Sequence, residues 1–205
     1  MNKLYYTPGA CSIGIHVLLE EIGVPYAAEP VNLREPPAHR PLTGLNPKSK
    51  VPTLVRADGS VLTEWPAIAV WLAATTPQAG LLADDAEGLA RALEVIDYAV
   101  ATVHMQGFAR IVRPGNFAPS EADHATVIAR GQEIFTNGLA VLEHALTGRD
   151  YVTGRFSIAD AAVFFILFWA THRLSLTLPP NLGAHFARLK ARPAVATVLQ
   201  KEGFT

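Results

Sequence analysis

Four stretches of this 205-residue chain carry side chains suited to chemistry. Cys11 follows a short aromatic run and a Pro8-Gly9 turn, and directly precedes a helical pattern. The bare N–H groups and dipole of a helix N-terminus favour an anion, which draws a thiol there toward its nucleophilic thiolate. A lone cysteine is as often an inert, packed apolar residue, and position alone leaves both readings open. Cys11-Ser12-Ile13-Gly14 contains no second cysteine, so disulfide chemistry here would require an external thiol. Val51-Pro52 lies just before a strand pattern. A cis bond would turn the Val51 N–H and C=O outward, ready to pair with an extended peptide-like ligand; a trans proline at a strand start is the alternative. Glu64-Trp65-Pro66 opens a helix whose first amides suit a carboxylate and whose Glu64 suits an ammonium, or simply caps that helix. Asp97, Ala101 and His104 fall at i, i+4 and i+7, one face of a long helix, either a ligand-facing pair or a solvated face with a core histidine.

Other signals are missing from the sequence. His16, His39, His124, His144, His172 and His185 have no metal-ligand spacing, and neither Gly-x-Gly-x-x-Gly nor Walker A occurs. No metal is therefore expected.

These residues need elements to position them. Leu4–Thr7 reads as a strand, and Ser12–Ile22 as a helix with Ile15, Leu18, Leu19 and Ile22 on one face and Gly23 beyond its end. Tyr26–Leu33 reads as a second strand, parallel to the first because a helix separates them. The proline-rich stretch from Arg34 to Lys50 is a loop with room for one helical turn. A hairpin turns at Asp58-Gly59, and Pro66 suits the first turn of a helix running to about Thr75. Strand signals then fade. Ala86–Val112 is a long helical pattern, and a second helix runs from Ser120 to about Leu146. Ser157-Ile158-Ala159-Asp160 has the form of a capping box before the most apolar helix, Ala161 to about Leu174. Two short helices flank Pro193. The expected organisation is an α/β domain over residues 1–76, a linker over 77–86 and an all-helical domain over 87–205.

Composition bounds the rest. Half the residues are hydrophobic and 17% are charged, which supports a sizeable core and argues against disorder. A net charge of -1 removes the electrostatic footprint of a nucleic-acid binder. One cysteine forbids an internal disulfide. The longest apolar run, Ala161–Ala170, is about half a membrane span. With no apolar leader region at the N-terminus, a cytoplasmic protein without membrane association is expected.

Taken in order, several motifs resemble cytosolic glutathione transferases, most closely the bacterial beta class. They are Leu4-Tyr5-Tyr6-Thr7-Pro8-Gly9-Ala10-Cys11-Ser12, Asn46-Pro47-Lys48-Ser49-Lys50-Val51-Pro52-Thr53-Leu54, Leu62-Thr63-Glu64-Trp65-Pro66-Ala67-Ile68, Ser157-Ile158-Ala159-Asp160-Ala161, and the histidine of the long helix. The likeness spans the chain and implies a thioredoxin-like N-terminal domain, an all-α C-terminal domain and a homodimer. It implies that Cys11 faces the glutathione sulfur and that the Val51 backbone pairs with the cysteinyl part, beside a cis Pro52. Glu64 and Trp65 match the pair holding the γ-glutamyl end. His104 matches the histidine near the thiol, and Asp97 a position reaching the neighbouring subunit's glutathione. Ser157 and Asp160 match a folding feature.

Three departures stand out. Trp65 replaces a common serine, Ser49 replaces a common glycine, and the loop Arg34–Arg40 lacks the lysine expected for the glycyl carboxylate, leaving Lys50, Arg34 or Lys48. The resemblance implies glutathione, as co-substrate, transferred to a small apolar electrophile near Ile13, Phe108, Ile111 and Trp169. Two alternatives remain: a one-cysteine glutathione-dependent disulfide reductase or peroxidase, and a non-catalytic dimeric binding protein.

Overall fold

The computed structural model describes residues 1–204. The chain divides into two compact units, Met1–Leu89 with Ala187–Thr205, and Ala90–Phe186. Secondary structure changes type near residue 80, whereas compactness groups the closing segment from Ala187 with the N-terminal residues.

The first unit holds a four-stranded sheet in the order β2-β1-β3-β4. Strand β1 (Asn2–Tyr6) pairs in parallel with β2 (Tyr26–Pro30), Asn2 opposite Tyr26. It pairs antiparallel with β3 (Thr53–Val55), Leu4 opposite Leu54, and β3 forms the expected hairpin with β4 (Val61–Thr63). The parallel pair follows from helix α1 (Ser12–Ile22), which supplies the crossover. Ser12 to Leu19 are all buried, because α1 lies against β1, α2 (Trp65–Thr75) and α8 (Pro193–Lys201). The helix stops at Gly23, whose φ of 71° costs a residue without Cβ little and lets its N–H reach Leu19 O at 3.3 Å.

Strand β2 is shorter than the expected Tyr26–Leu33. After Pro30, Val31 N–H still bonds Tyr6 O at 2.6 Å, but β1 offers no further partner. Val31 instead packs with Tyr5, Leu42 and Val51, and Asn32 Oδ1 accepts from Arg34 N–H to start the loop. This cluster anchors the segment that leads to Val51-Pro52.

In the second unit, α6 (Ile158–His172) is buried at every residue from Ile158 to Ala170. It begins three residues earlier than the apolar run suggested, at the capping box: Ala159 N–H donates to Ser157 Oγ, and Ser157 N–H donates to Asp160 Oδ2. Helix α5 (His124–Ala145) follows a short 3₁₀ turn, Glu121–Asp123, instead of starting at Ser120.

The expected helix Ala86–Val112 is not one regular helix. It consists of α3 (Ala86–Asp97), a π-helical stretch Tyr98–Phe108 and α4 (Ala109–Val112). Asp97 lies at the end of α3, and Ala101 and His104 lie within the π-helical stretch, where the turn is wider than the α-helical spacing assumes. The stretch approaches α5 closely: a methyl group on Gly138 would lie 2.6 Å from Val103 Cγ2, and one on Gly131 2.8 Å from Gly107 O. Two further helices are α7 (Pro180–Lys190) and the α8 already placed in the first unit. Among the described residues, no helix is long and apolar enough to cross a membrane.

Candidate functional site

The turn before Cys11 is held by its own polar groups. Ala10 N–H bonds Thr7 O at 2.9 Å, and Ser12 Oγ accepts from Thr7 N–H at 3.2 Å. Gly9 N–H donates to Glu202 Oε2 at 2.8 Å, and His16 Nδ1 lies 2.8 Å from Glu202 Oε1. Both His16 and Glu202 are buried. A carboxylate 193 residues away thus fixes the loop, which nothing in the local sequence announces. The same carboxylate acts on Tyr6: burial first, then Glu202, push its phenol above the ordinary range.

Cys11 sits just ahead of α1 and is partly buried. Its Sγ is a hydrogen-bond distance of 3.6 Å from Val51 O. The Val51-Pro52 bond is cis, not the trans alternative that the sequence left open. The loop before it is braced by two side chains that sequence reasoning passed over. Asn46 Nδ2 donates to Lys50 O at 3.1 Å and to Thr53 Oγ1 at 2.8 Å. Arg40 donates to Glu35 O, Ser49 O and Leu33 O at 2.8–2.9 Å, spanning the loop with one guanidinium. Ser49 adopts φ 50°, the left-handed backbone that a glycine takes readily, and its carbonyl is one of those Arg40 holds. Arg40 is the kind of residue whose role shows only once the loop is closed.

Glu64 has φ 74° and ψ 128°, a region seldom occupied by residues with a Cβ, and strain of that kind concentrates at functional positions. Its side chain is 62% exposed and pairs with Lys48 Nζ at 2.5 Å; Lys48 also donates to Thr63 Oγ1 at 2.7 Å. Trp65 turns the other way. It is buried, and its indole N–H donates to Cys11 O at 3.0 Å. Lys50 and Arg34 are exposed. Thus Cys11, Val51, Pro52, Glu64 and Trp65 gather within the first unit.

The remaining predicted residues belong to the second unit. His104 is partly buried and lies edge-on to Trp169, ring centroids 4.7 Å apart, and to Phe165 at 5.9 Å. Phe108 stacks on Trp169 at 4.0 Å. Asp97 is exposed at the end of α3. Of the residues expected near an electrophile, Ile13 is fully buried in the core of the first unit and offers no surface, so packing explains it. Trp169 and Phe108 are buried, and Ile111 is half-buried.

Comparison with known proteins places this arrangement. The glutathione S-transferase N-terminal domain family matches residues 9–75, and the C-terminal domain family matches residues 125–199. The chain is 33% identical to glutathione S-transferase GstA of Escherichia coli O157:H7, covering 98% of each. It superposes on a sphingomonad glutathione S-transferase complexed with glutathione with a TM-score of 0.85 at 32% identity, covering 99% of this chain and 100% of that one. It likewise superposes on a beta class glutathione S-transferase of Sphingomonas chungbukensis, TM-score 0.83 at 30% identity, covering 99% and 100%. The family models match the two halves in order, full-length relatives share about a third of the residues, and the four-stranded sheet precedes a helical unit as in the solved relatives; the chain belongs to the glutathione S-transferase family.

Proposed function

We propose that the protein conjugates glutathione to small apolar electrophiles, as a cytoplasmic homodimer with a glutathione-binding domain over residues 1–76 and a helical domain over 87–205. The observation that carries the reading is the meeting of Cys11 Sγ with the carbonyl of Val51, 3.6 Å apart, beside a cis proline. A backbone turned outward there suits the cysteinyl part of a tripeptide, whose own sulfur then lies near Cys11. Glu64 takes the γ-glutamyl ammonium in exchange for, or alongside, Lys48. The amides at the start of α2 take the α-carboxylate, and Lys50 the glycyl carboxylate. Asp97 reaches the glutathione of the partner subunit.

In the chemical step the glutathione sulfur, as thiolate, forms a C–S bond with the electrophilic carbon while the leaving group departs with its electron pair. A thiol is mostly protonated at neutral pH, and each pKa unit by which the site favours its thiolate is worth about 1.4 kcal/mol. Cys11 and His104 supply hydrogen bonds to that sulfur. The half-buried side chain of Ile111 suits an apolar ring, and the stacked pair Phe108 and Trp169 would have to open to join it.

One observation favours a second reading. Cys11 is the chain's sole cysteine and is only partly buried. As thiolate it would attack a glutathione mixed disulfide, binding the glutathionyl sulfur and releasing the other thiol; a second glutathione would then release Cys11 and leave as glutathione disulfide. Assaying wild type and Cys11→Ser with glutathione against an aryl halide and against a mixed disulfide separates the readings. Conjugation kept and disulfide reduction lost assigns transfer to the bound glutathione alone. Loss of both makes Cys11 the essential group. A wild type that binds no glutathione overturns the proposal.

A further inference from the structure

Trp65 occupies a position where the family motif commonly has a small hydroxyl residue, yet its ring is not spent on surface. It is 3% exposed, and its only side-chain polar atom, Nε1, is aimed at Cys11 O at 3.0 Å. The same carbonyl accepts from Gly14 N–H at 3.2 Å. Two donors from different directions fix the peptide plane joining Cys11 to Ser12. That plane sets the direction of the Cys11 Cα–Cβ bond, and so keeps Sγ over Val51 O. Trp65 also adjoins Glu64, whose unusual backbone turns its carboxylate outward while the indole turns inward. One corner between β4 and α2 therefore carries an outward carboxylate and an inward brace on the cysteine.

We propose that Trp65 is a positioning residue: its indole N–H holds the Cys11 backbone so that the sulfur stays against the Val51 carbonyl. This rests on the reading of Cys11 as a site residue, and the first arm of the test needs no glutathione. Trp65→Phe keeps the ring and removes the donor. Iodoacetamide labels the single cysteine, so its rate reports Cys11 alone. Releasing the sulfur from its carbonyl contact raises that rate about fivefold, the scale of one neutral hydrogen bond. With an aryl halide, kcat falls about fivefold while the glutathione KM stays within about twofold. A labelling rate and kcat equal to wild type, with or without a lower melting temperature, overturn the proposal and leave Trp65 a packing residue. A wild type without conjugating activity instead refutes the proposed function, and the labelling rate still decides the role of Trp65.

Should Trp65→Phe fail to fold, the wild type answers. The chain has three tryptophans, and the Trp65 indole N–H signal in a ¹⁵N spectrum is assigned from Trp71→Phe and Trp169→Phe. It should shift when Cys11 is alkylated. A signal that does not respond overturns the proposal.

Discussion

His104 presents the sharpest choice between chemistry and packing. Its ring is edge-on to Trp169 and Phe165, contacts that a core histidine would also make. If it donates to the reacting sulfur, His104→Ala removes a proton-handling group worth about a hundredfold in rate, while stability falls only by the aromatic contact, about 1 kcal/mol. Steady-state conjugation beside urea unfolding reads both numbers. An unchanged rate with the same loss of stability returns His104 to packing. At this scale Cys11, Pro52 and Glu64 were legible because each has an unusual residue type or neighbour: a lone thiol before a helix, an X-Pro bond before a strand, an acid before Trp-Pro. Arg40 and Asn46 were not. Their donors end on backbone carbonyls of a loop whose path no local pattern dictates, or on the Thr53 hydroxyl at the start of β3.

Between elements, α8 reaches back to the start of the chain through Glu202. The carboxylate accepts from Gly9 N–H and faces His16, and all three groups lie away from water. Burying a charge in this way stabilises only while its partners are in place. Glu202→Ala leaves a buried amide and a buried imidazole nitrogen without their acceptor, at about 3 kcal/mol. Glu202→Gln keeps an acceptor for one of them and costs less. Denaturant unfolding of the two variants checks the order; equal losses would mean that the negative charge, which both variants lack, matters there and that neither volume nor a remaining acceptor does. The strand and helix alternation was legible because apolar periodicity and turn residues act locally. The π stretch was not: it goes with the glycine-lined approach of α5, a long-range fit between Gly107, Gly131, Gly138 and their facing groups. Strand β2 ended early for a like reason, since its length depends on where β1 stops.

For the molecule as a whole, Asp160 makes one contribution to the pH dependence of stability. It is fully buried at the head of α6, and burial pushes its carboxyl up to about 6, although hydrogen bonds from Val152 N–H, Ser157 Oγ and Ser157 N–H pull the other way. In the unfolded chain the same group titrates near the ordinary value of about 3.9. Between those two values the folded protein keeps a proton that the unfolded chain releases. The stability linked to this group is therefore complete below about pH 4 and is lost as pH rises through about 6, roughly 3 kcal/mol in all. His185 Nε2 lies 3.4 Å from Asp160 Oδ1, and a protonated ring there would shrink the effect by favouring the carboxylate. Asp160→Asn cannot titrate, so the difference in unfolding free energy between wild type and variant isolates the group from every other carboxylate. Urea unfolding at pH 4, 5, 6 and 7 should show the wild type losing ground to the variant step by step. A difference constant over that range would mean that the capping hydrogen bonds outweigh burial and that Asp160 is charged throughout.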